Sequence, residues 1–188
     1  MGPPRLRLPP FGASRENFTR RLRSLKSNHF RGRFFRLVPA FHADAIGETG
    51  PSFANGGRFN PRGEFGALYL SEGADVCWKE TLKKYDNRAR DIPDQALGEF
   101  EIHVRRGLDL TDPEVLTALG VTLEDISQPT DYYLTQMIAA AAWSLGIEAI
   151  KFPSSLDRDR FNLAVFTDHL ANTSILKRIK VSKYRKPV

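Results

Sequence analysis

The chain has 188 residues, 41% of them hydrophobic and 27% charged, with a formal net charge of +6. That length fits one domain with a proper core, and the composition is that of an ordinary globular protein and not of a disordered chain. No stretch reaches the roughly 18 to 20 apolar residues that cross a bilayer, and the start MGPPRLRLPPFGAS lacks the apolar centre of a signal peptide, so a cytoplasmic protein without a membrane segment is expected.

The positive charge is unevenly spread. Residues 1–36 hold ten Lys/Arg against one acid, and residues 177–188 hold six against none, whereas the 140 residues between carry twelve basic and twenty-one acidic side chains. Basic terminal arms can bind nucleic acid nonspecifically, but the acidic body argues against it, so direct nucleic-acid binding is not expected. Solvated arms, or arms that grip an acidic partner, fit better. The one cysteine, Cys77, has no second thiol to pair with, and His29, His42, His103 and His169 are too scattered for a zinc site, so no metal is expected.

Along the chain, Pro3, Pro4, Pro9 and Pro10 predict an extended or mobile start. Ser14 caps a predicted amphipathic basic helix running to about Ser27, with Phe18, Leu22 and Leu25 on its apolar side. RFFRLVP (33–39) reads as a strand, GPSFANGGRFNPRG as a long glycine-rich loop, and GALYL (66–70) as a short strand. Ser71 is the expected cap of a helix that aligns Ala74, Cys77, Trp78 and Leu82. LGEFEIHV (97–104) alternates as a strand, and LDL (108–110) continues extended toward a capped turn at Thr111. Residues 112–119 form a helix with Pro113 near its start and Gly120 after its end. TDYYLTQMIAAAAWSLG reads as the clearest helix, capped by Thr130 and stopped at Gly146. Strands follow at 147–152, 162–166 and 175–181. Helices and strands mix without regular alternation, which favours an α+β fold over a doubly wound sheet.

The phosphate-binding loop, the dinucleotide glycine fingerprint and the serine-hydrolase elbow are all absent from the sequence. Polar residues at the ends of apolar runs remain. Arg36 lies within FFRLV, and either a buried guanidinium there meets an anion or carboxylate, or it faces water from an edge strand. Arg58 follows Gly56 and Gly57, whose lack of side chains lets backbone approach a ligand while the guanidinium forks onto phosphate oxygens; a turn with a solvated arginine is the plainer reading. Tyr69 is a strand tyrosine. Glu80 falls off its helix's apolar stripe, so it either pairs with Lys84 one turn on or faces a cleft as a carboxylate able to steady positive charge at an anomeric carbon. Ser154, Ser155 and Asn162 read alone as turn or cap residues.

Taken together, FFRLVP, GGRFNPRGEFGALYLS, VCWKE, LDLTDPEVLTALG, IKFPSS and FNLAVF resemble the RES domain family over about residues 30–170. The resemblance implies a compact single domain with an ADP-ribosyltransferase-like α+β fold, a mixed and mainly antiparallel sheet, and flanking helices. Residues 1–29 would then be a basic arm and amphipathic helix, and residues 30–188 the catalytic domain with its basic tail. It also implies a toxin that depletes NAD by hydrolysis or phosphorolysis of the nicotinamide glycosidic bond, with inorganic phosphate as co-substrate in the second case and no metal. The implied site residues are Glu80, Arg58 and Tyr69 for catalysis, and Arg36, Arg58, Tyr69 and Ser154 for substrate binding; Asn162 is a further candidate for substrate binding, outside the residues that the resemblance carries over. Ser155 is the rival for the family serine, and Phe59 stands where the family commonly has tryptophan. The implied partner is an Xre-like helix-turn-helix antitoxin, with self-association as a further expectation. Transfer of ADP-ribose to a protein is the enzymatic alternative, and an inactive nucleic-acid- or partner-binding module using the basic termini is the alternative from another class.

Overall fold

The computed structural model describes residues 14–157 and 159–186. The proline-rich start therefore lies outside the described residues. Twelve elements follow in order: α1 (Arg15–Arg23), β1 (Asn28–Pro39), α2 (Gly50–Asn55), β2 (Leu68–Ser71), α3 (Ala74–Lys84), β3 (Gln95–Asp109), α4 (Pro113–Leu119), α5 (Leu123–Ile126), α6 (Tyr133–Ser144), β4 (Ala149–Pro153), β5 (Phe161–Val165) and β6 (Ile175–Tyr184).

The six strands form one sheet in the order β1-β2-β5-β4-β3-β6, and β1 also pairs with β3. That extra pairing curls the sheet into a ring, β1-β2-β5-β4-β3, with β6 added outside on β3. Every pairing is antiparallel except β3 with β4, which spans Gly107–Asp109 against Ala149–Lys151. A parallel pair needs a long crossover, and α4, α5 and α6 supply it. The expected α+β architecture with a mainly antiparallel sheet is thus the one observed.

Strand alternation gives the sheet two buried faces. On β5, Leu163 and Val165 point into the ring with Phe34, Phe100 and Ile102, while Ala164 and the following Phe166 point out toward the helices. The helical side is closed by Phe18 and Leu22 of α1, Val115 and Leu119 of α4, and the alanine-rich face of α6. Small side chains at Ala139–Ala142 let α1 and the sheet pack closely on α6.

Glu148 supports β3 where it changes partners from β6 to β4. Pairing of β3 with β6 ends at His103 and pairing with β4 begins at Gly107, so the backbone N–H groups of Arg105 and Arg106 fall between two partner strands. The buried Glu148 carboxylate accepts both, at 2.7 and 3.2 Å, together with the Ala171 N–H and the Ser174 hydroxyl ahead of β6. Burial alone would raise its pKa, but these donors outweigh burial and hold the carboxyl below the usual glutamate range.

Local chemistry explains where the elements depart from expectation. The first helix stops at Arg23, where the Ser24 hydroxyl bonds back to the Arg21 carbonyl, a turn before Ser27. Residues 50–55 are helical and not loop, because Pro51 suits the first turn and Gly56, at φ +72°, ends it. Ser71 is not a helix cap. It is the buried end of β2, and Gly73 takes the cap position. Thr130 does not cap α6 either; Asp131 accepts the Tyr133 N–H at 3.0 Å and the helix starts there. The short α5 is held by a reciprocal capping box between Thr122 and Asp125. Among the described residues no helix is long and apolar enough to cross a membrane.

Candidate active site

β1 and β2 meet at one residue pair, Phe35 with Ser71, and diverge beyond it. A cleft of about 550 Å³ opens there, with Arg36 of β1, Tyr69 of β2, Glu80 of α3 and Asn162 of β5 in its walls, and Arg58 at its lip. Five of the six candidate residues therefore share one cavity. The sixth, Ser154, sits behind it, 3% exposed, with its hydroxyl on Glu80.

Glu80 projects from the helix face next to the apolar stripe, as its position in the sequence predicted, but it makes no ion pair with Lys84. Its Oε1 instead accepts from the Asn162 side-chain amide at 2.7 Å and the Ser154 hydroxyl at 3.2 Å. Both bonds fall on one oxygen, and among the described residues Oε2, the other oxygen of this cleft-lining carboxylate, has no protein donor. Asn162 is held in turn by its strand position, opposite Ser71 on β2 and Phe152 on β4. Its Oδ1 is buried and has no hydrogen-bond partner.

Arg36 has the same deficit. The residue across the ladder on β3 is Gly98, which offers no carboxylate, and the Arg36 Nη1 atom is buried without a partner. Desolvation lowers the guanidinium's pKa from its ordinary value, with the nearby Cys77 thiol opposing the shift. An arginine stays charged even so. A buried cation with an unsatisfied donor in a cavity wall is a place for an anion.

The loop that carries Arg58 is built around Asn60. This side chain, fully buried, donates to the Ser52 and Phe65 carbonyls and accepts the Tyr69 hydroxyl at 2.8 Å. The same hydroxyl accepts the Phe59 N–H, also at 2.8 Å. Burial drives the Tyr69 pKa well above its ordinary value, so the phenol stays neutral and can keep both roles. Gly57 fits against this pair; a Cβ there would lie 2.6 Å from the Tyr69 hydroxyl and 2.8 Å from Asn60 Oδ1. Gln136 of α6 ties the loop down by donating to the Gly57 carbonyl at 2.9 Å. Arg58 itself gives one N–H to the Gln128 carbonyl at 3.3 Å and stacks over Tyr132, 5.4 Å from the ring centroid. Arg58 is also among the residues that line the cleft.

The segment behind Glu80 is clamped as well. Arg160 forks onto Asp75 with two 3.1 Å bonds and also reaches Glu72, while its carbonyl accepts the Ser154 N–H at 2.8 Å. Ser154 is thereby fixed under Glu80, whereas Ser155 is exposed and lines the cleft. Cys77 also lines it, but burial pushes its thiol up to about 11. It is therefore no nucleophile at neutral pH.

Several cleft residues were not legible beforehand. Phe152 meets Phe59 at 4.4 Å between centroids and stands edge-on to Tyr69 at 6.4 Å, forming an aromatic wall. Tyr132, Lys83 and Lys84 complete the lining. Only the lysines carried a signal: they follow Glu80 by three and four residues and so share its side of the helix.

The RES domain family matches residues 33–184. The proteins called NAD(+) phosphorylase MbcT from Mycobacterium bovis and Mycobacterium tuberculosis are each 29% identical over 120 residues, which span 61% of this chain and 63% of theirs. The crystal structure of the Mycobacterium tuberculosis MbcT–MbcA toxin-antitoxin complex contains a chain with the same fold, at a TM-score of 0.75 and 23% identity over 90% of this chain and 92% of that one. With the match covering nearly the whole described fold, the chain belongs to the RES domain family.

Proposed function

We propose that this protein is an NAD-cleaving enzyme that breaks the nicotinamide glycosidic bond and passes the ADP-ribosyl group to inorganic phosphate. The observation that carries the reading is the state of Glu80: one carboxylate oxygen is clamped by Ser154 and Asn162, and the other faces a cleft flanked by Arg36 and Arg58.

Each residue type suits a part of NAD. Arg36 and Arg58 offer charge-assisted donors to the diphosphate. The aromatic wall of Tyr69 and Phe152 packs against nicotinamide and its ribose and excludes water. The Asn162 Oδ1 atom accepts from a ribose hydroxyl or the carboxamide. In the bond-breaking step the C1′–N1 pair leaves with the nicotinamide ring, which becomes neutral, and positive charge spreads over C1′ and the ring oxygen of the ribose. Glu80 Oε2 stabilises that charge, an effect present in the transition state and weak in the ground state. A phosphate oxygen then forms the new bond to C1′. The named relatives favour phosphate over water or a protein side chain as acceptor.

A cell that makes such an enzyme must restrain it, and we propose an antitoxin of the Xre-like helix-turn-helix class as its partner. The reading is tested by incubating the purified protein with NAD, with and without phosphate, and identifying products by mass spectrometry. Free nicotinamide and ADP-ribose 1″-phosphate are expected. ADP-ribose attached to protein would replace this reading with protein modification, and unaltered NAD would remove it.

A further inference from the structure

Among the described residues, four cations line the cleft, Arg36, Arg58, Lys83 and Lys84, against one carboxylate, Glu80. NAD's diphosphate accounts for the two arginines. The lysines have no such assignment: they are exposed, they form no ion pair among the described residues, and the carboxylate one turn before them bonds Ser154 and Asn162 instead. Had Glu80 paired with Lys84 in the ordinary i,i+4 manner, one ammonium would have been neutralised.

We infer that Lys83 and Lys84 form the subsite for the attacking inorganic phosphate. This rests on the phosphorolytic reading above. The physical need is specific to that acceptor. Near neutral pH phosphate is a mixture of mono- and dianion, and to reach C1′ it must approach the carboxylate that stabilises the ribosyl cation. Two ammonium groups on the same side of α3 as that carboxylate offset the repulsion and raise the local phosphate concentration. Water, being neutral, needs no such help. In the step itself a lone pair on a phosphate oxygen forms the bond to C1′, the C1′–N1 pair remains on nicotinamide, and the phosphomonoester releases its proton to solvent. The lysines change no bond; they hold the nucleophile, as mobile, hydrated point charges do.

The lysines also sit in the last turn of α3, where cations complement the helix dipole. A purely structural role would lower the melting temperature and leave phosphate kinetics alone. The experiment is therefore steady-state phosphorolysis with inorganic phosphate varied at saturating NAD, comparing wild type, the double variant Lys83→Gln/Lys84→Gln, the charge-retaining Lys83→Arg/Lys84→Arg, and Lys177→Gln as a charge control on β6. The KM for phosphate should rise about tenfold or more in the glutamine variant. Its product ratio should move from the phosphorylated sugar toward ADP-ribose, the arginine variant should recover both, and the control should match wild type. A wild type that makes phosphorylated sugar, with a glutamine variant unchanged in phosphate KM and product ratio, overturns the subsite alone. A wild type that makes none overturns the phosphorolytic reading and the subsite with it.

Discussion

At the scale of single residues, the site is held together by groups that point at one another and leave one face unsatisfied. Tyr69 is the clearest case, since its hydroxyl both donates to Asn60 and accepts from Phe59, and so transmits the position of the loop to the cleft wall. Gly57 is the control on that linkage. Gly57→Ala would bring a methyl group to 2.6 Å from the Tyr69 hydroxyl, closer than packed atoms allow, and the strained side chain must move. We expect a loss of about 1–3 kcal/mol in stability and a fall of about tenfold in kcat/KM for NAD, because a small misplacement of a cleft wall is costly to the chemistry. Gly50→Ala, whose added methyl meets nothing within 4 Å, should leave both unchanged. Equal NAD turnover in the two variants would show that the Tyr69 linkage does not position the site.

At the scale of elements, the junction of β3, β4 and β6 depends on Glu148. Its folded carboxyl has the lower pKa, so the unfolded chain takes up the proton first as pH falls. The stabilisation is then complete above the ordinary glutamate range and is lost as pH drops through the depressed folded value. Glu148→Gln should cost about 2 kcal/mol at pH 7, roughly 4–8 °C in Tm for a chain of this size. The gap between the two proteins should narrow on going to acid. Thermal melts from pH 3 to 7 check this, and parallel curves for the two proteins would refute it. The same junction shows the limits of reading a sequence. Period-two alternation made the strand at 97–104 visible, and stop signals located Gly120 and Gly146. Nothing local announces that an interior glutamate will cap two orphaned N–H groups of another strand. Likewise Arg36, Arg58, Tyr69, Glu80 and Ser154 stood out through a family resemblance, whereas Tyr132 and Phe152 looked like core or helix residues. They reach the cleft only because the crossover through α6 and the β4–β5 hairpin return to it. The misplaced caps at Ser71 and Thr130 have a similar origin: strand pairing holds Ser71 in β2, so that α3 starts after Gly73, and Asp131, one residue beyond Thr130, takes the Tyr133 N–H.

At the scale of the molecule, the curled sheet does what a flat one could not. Closing β1 onto β3 leaves β1 and β2 joined at one pair, and the split between them is the cleft. Its walls draw on β1, the 56–60 loop, β2, α3, β4 and β5, so the reacting groups are fixed by the whole fold and not by one flexible loop. The polar groups left over by that assembly are the Arg36 Nη1 and Asn162 Oδ1 atoms and the outer oxygen of Glu80. In our account all three are completed by NAD. The most direct test is Glu80→Gln, which keeps the shape of the side chain and both of its supporting residues but removes the charge that faces C1′. Isothermal titration under slow-turnover conditions should give an NAD affinity within a few-fold of wild type. Steady-state assay should give a kcat reduced by about 100-fold or more. A Glu80→Gln protein that cleaves NAD at the wild-type rate would contradict the account.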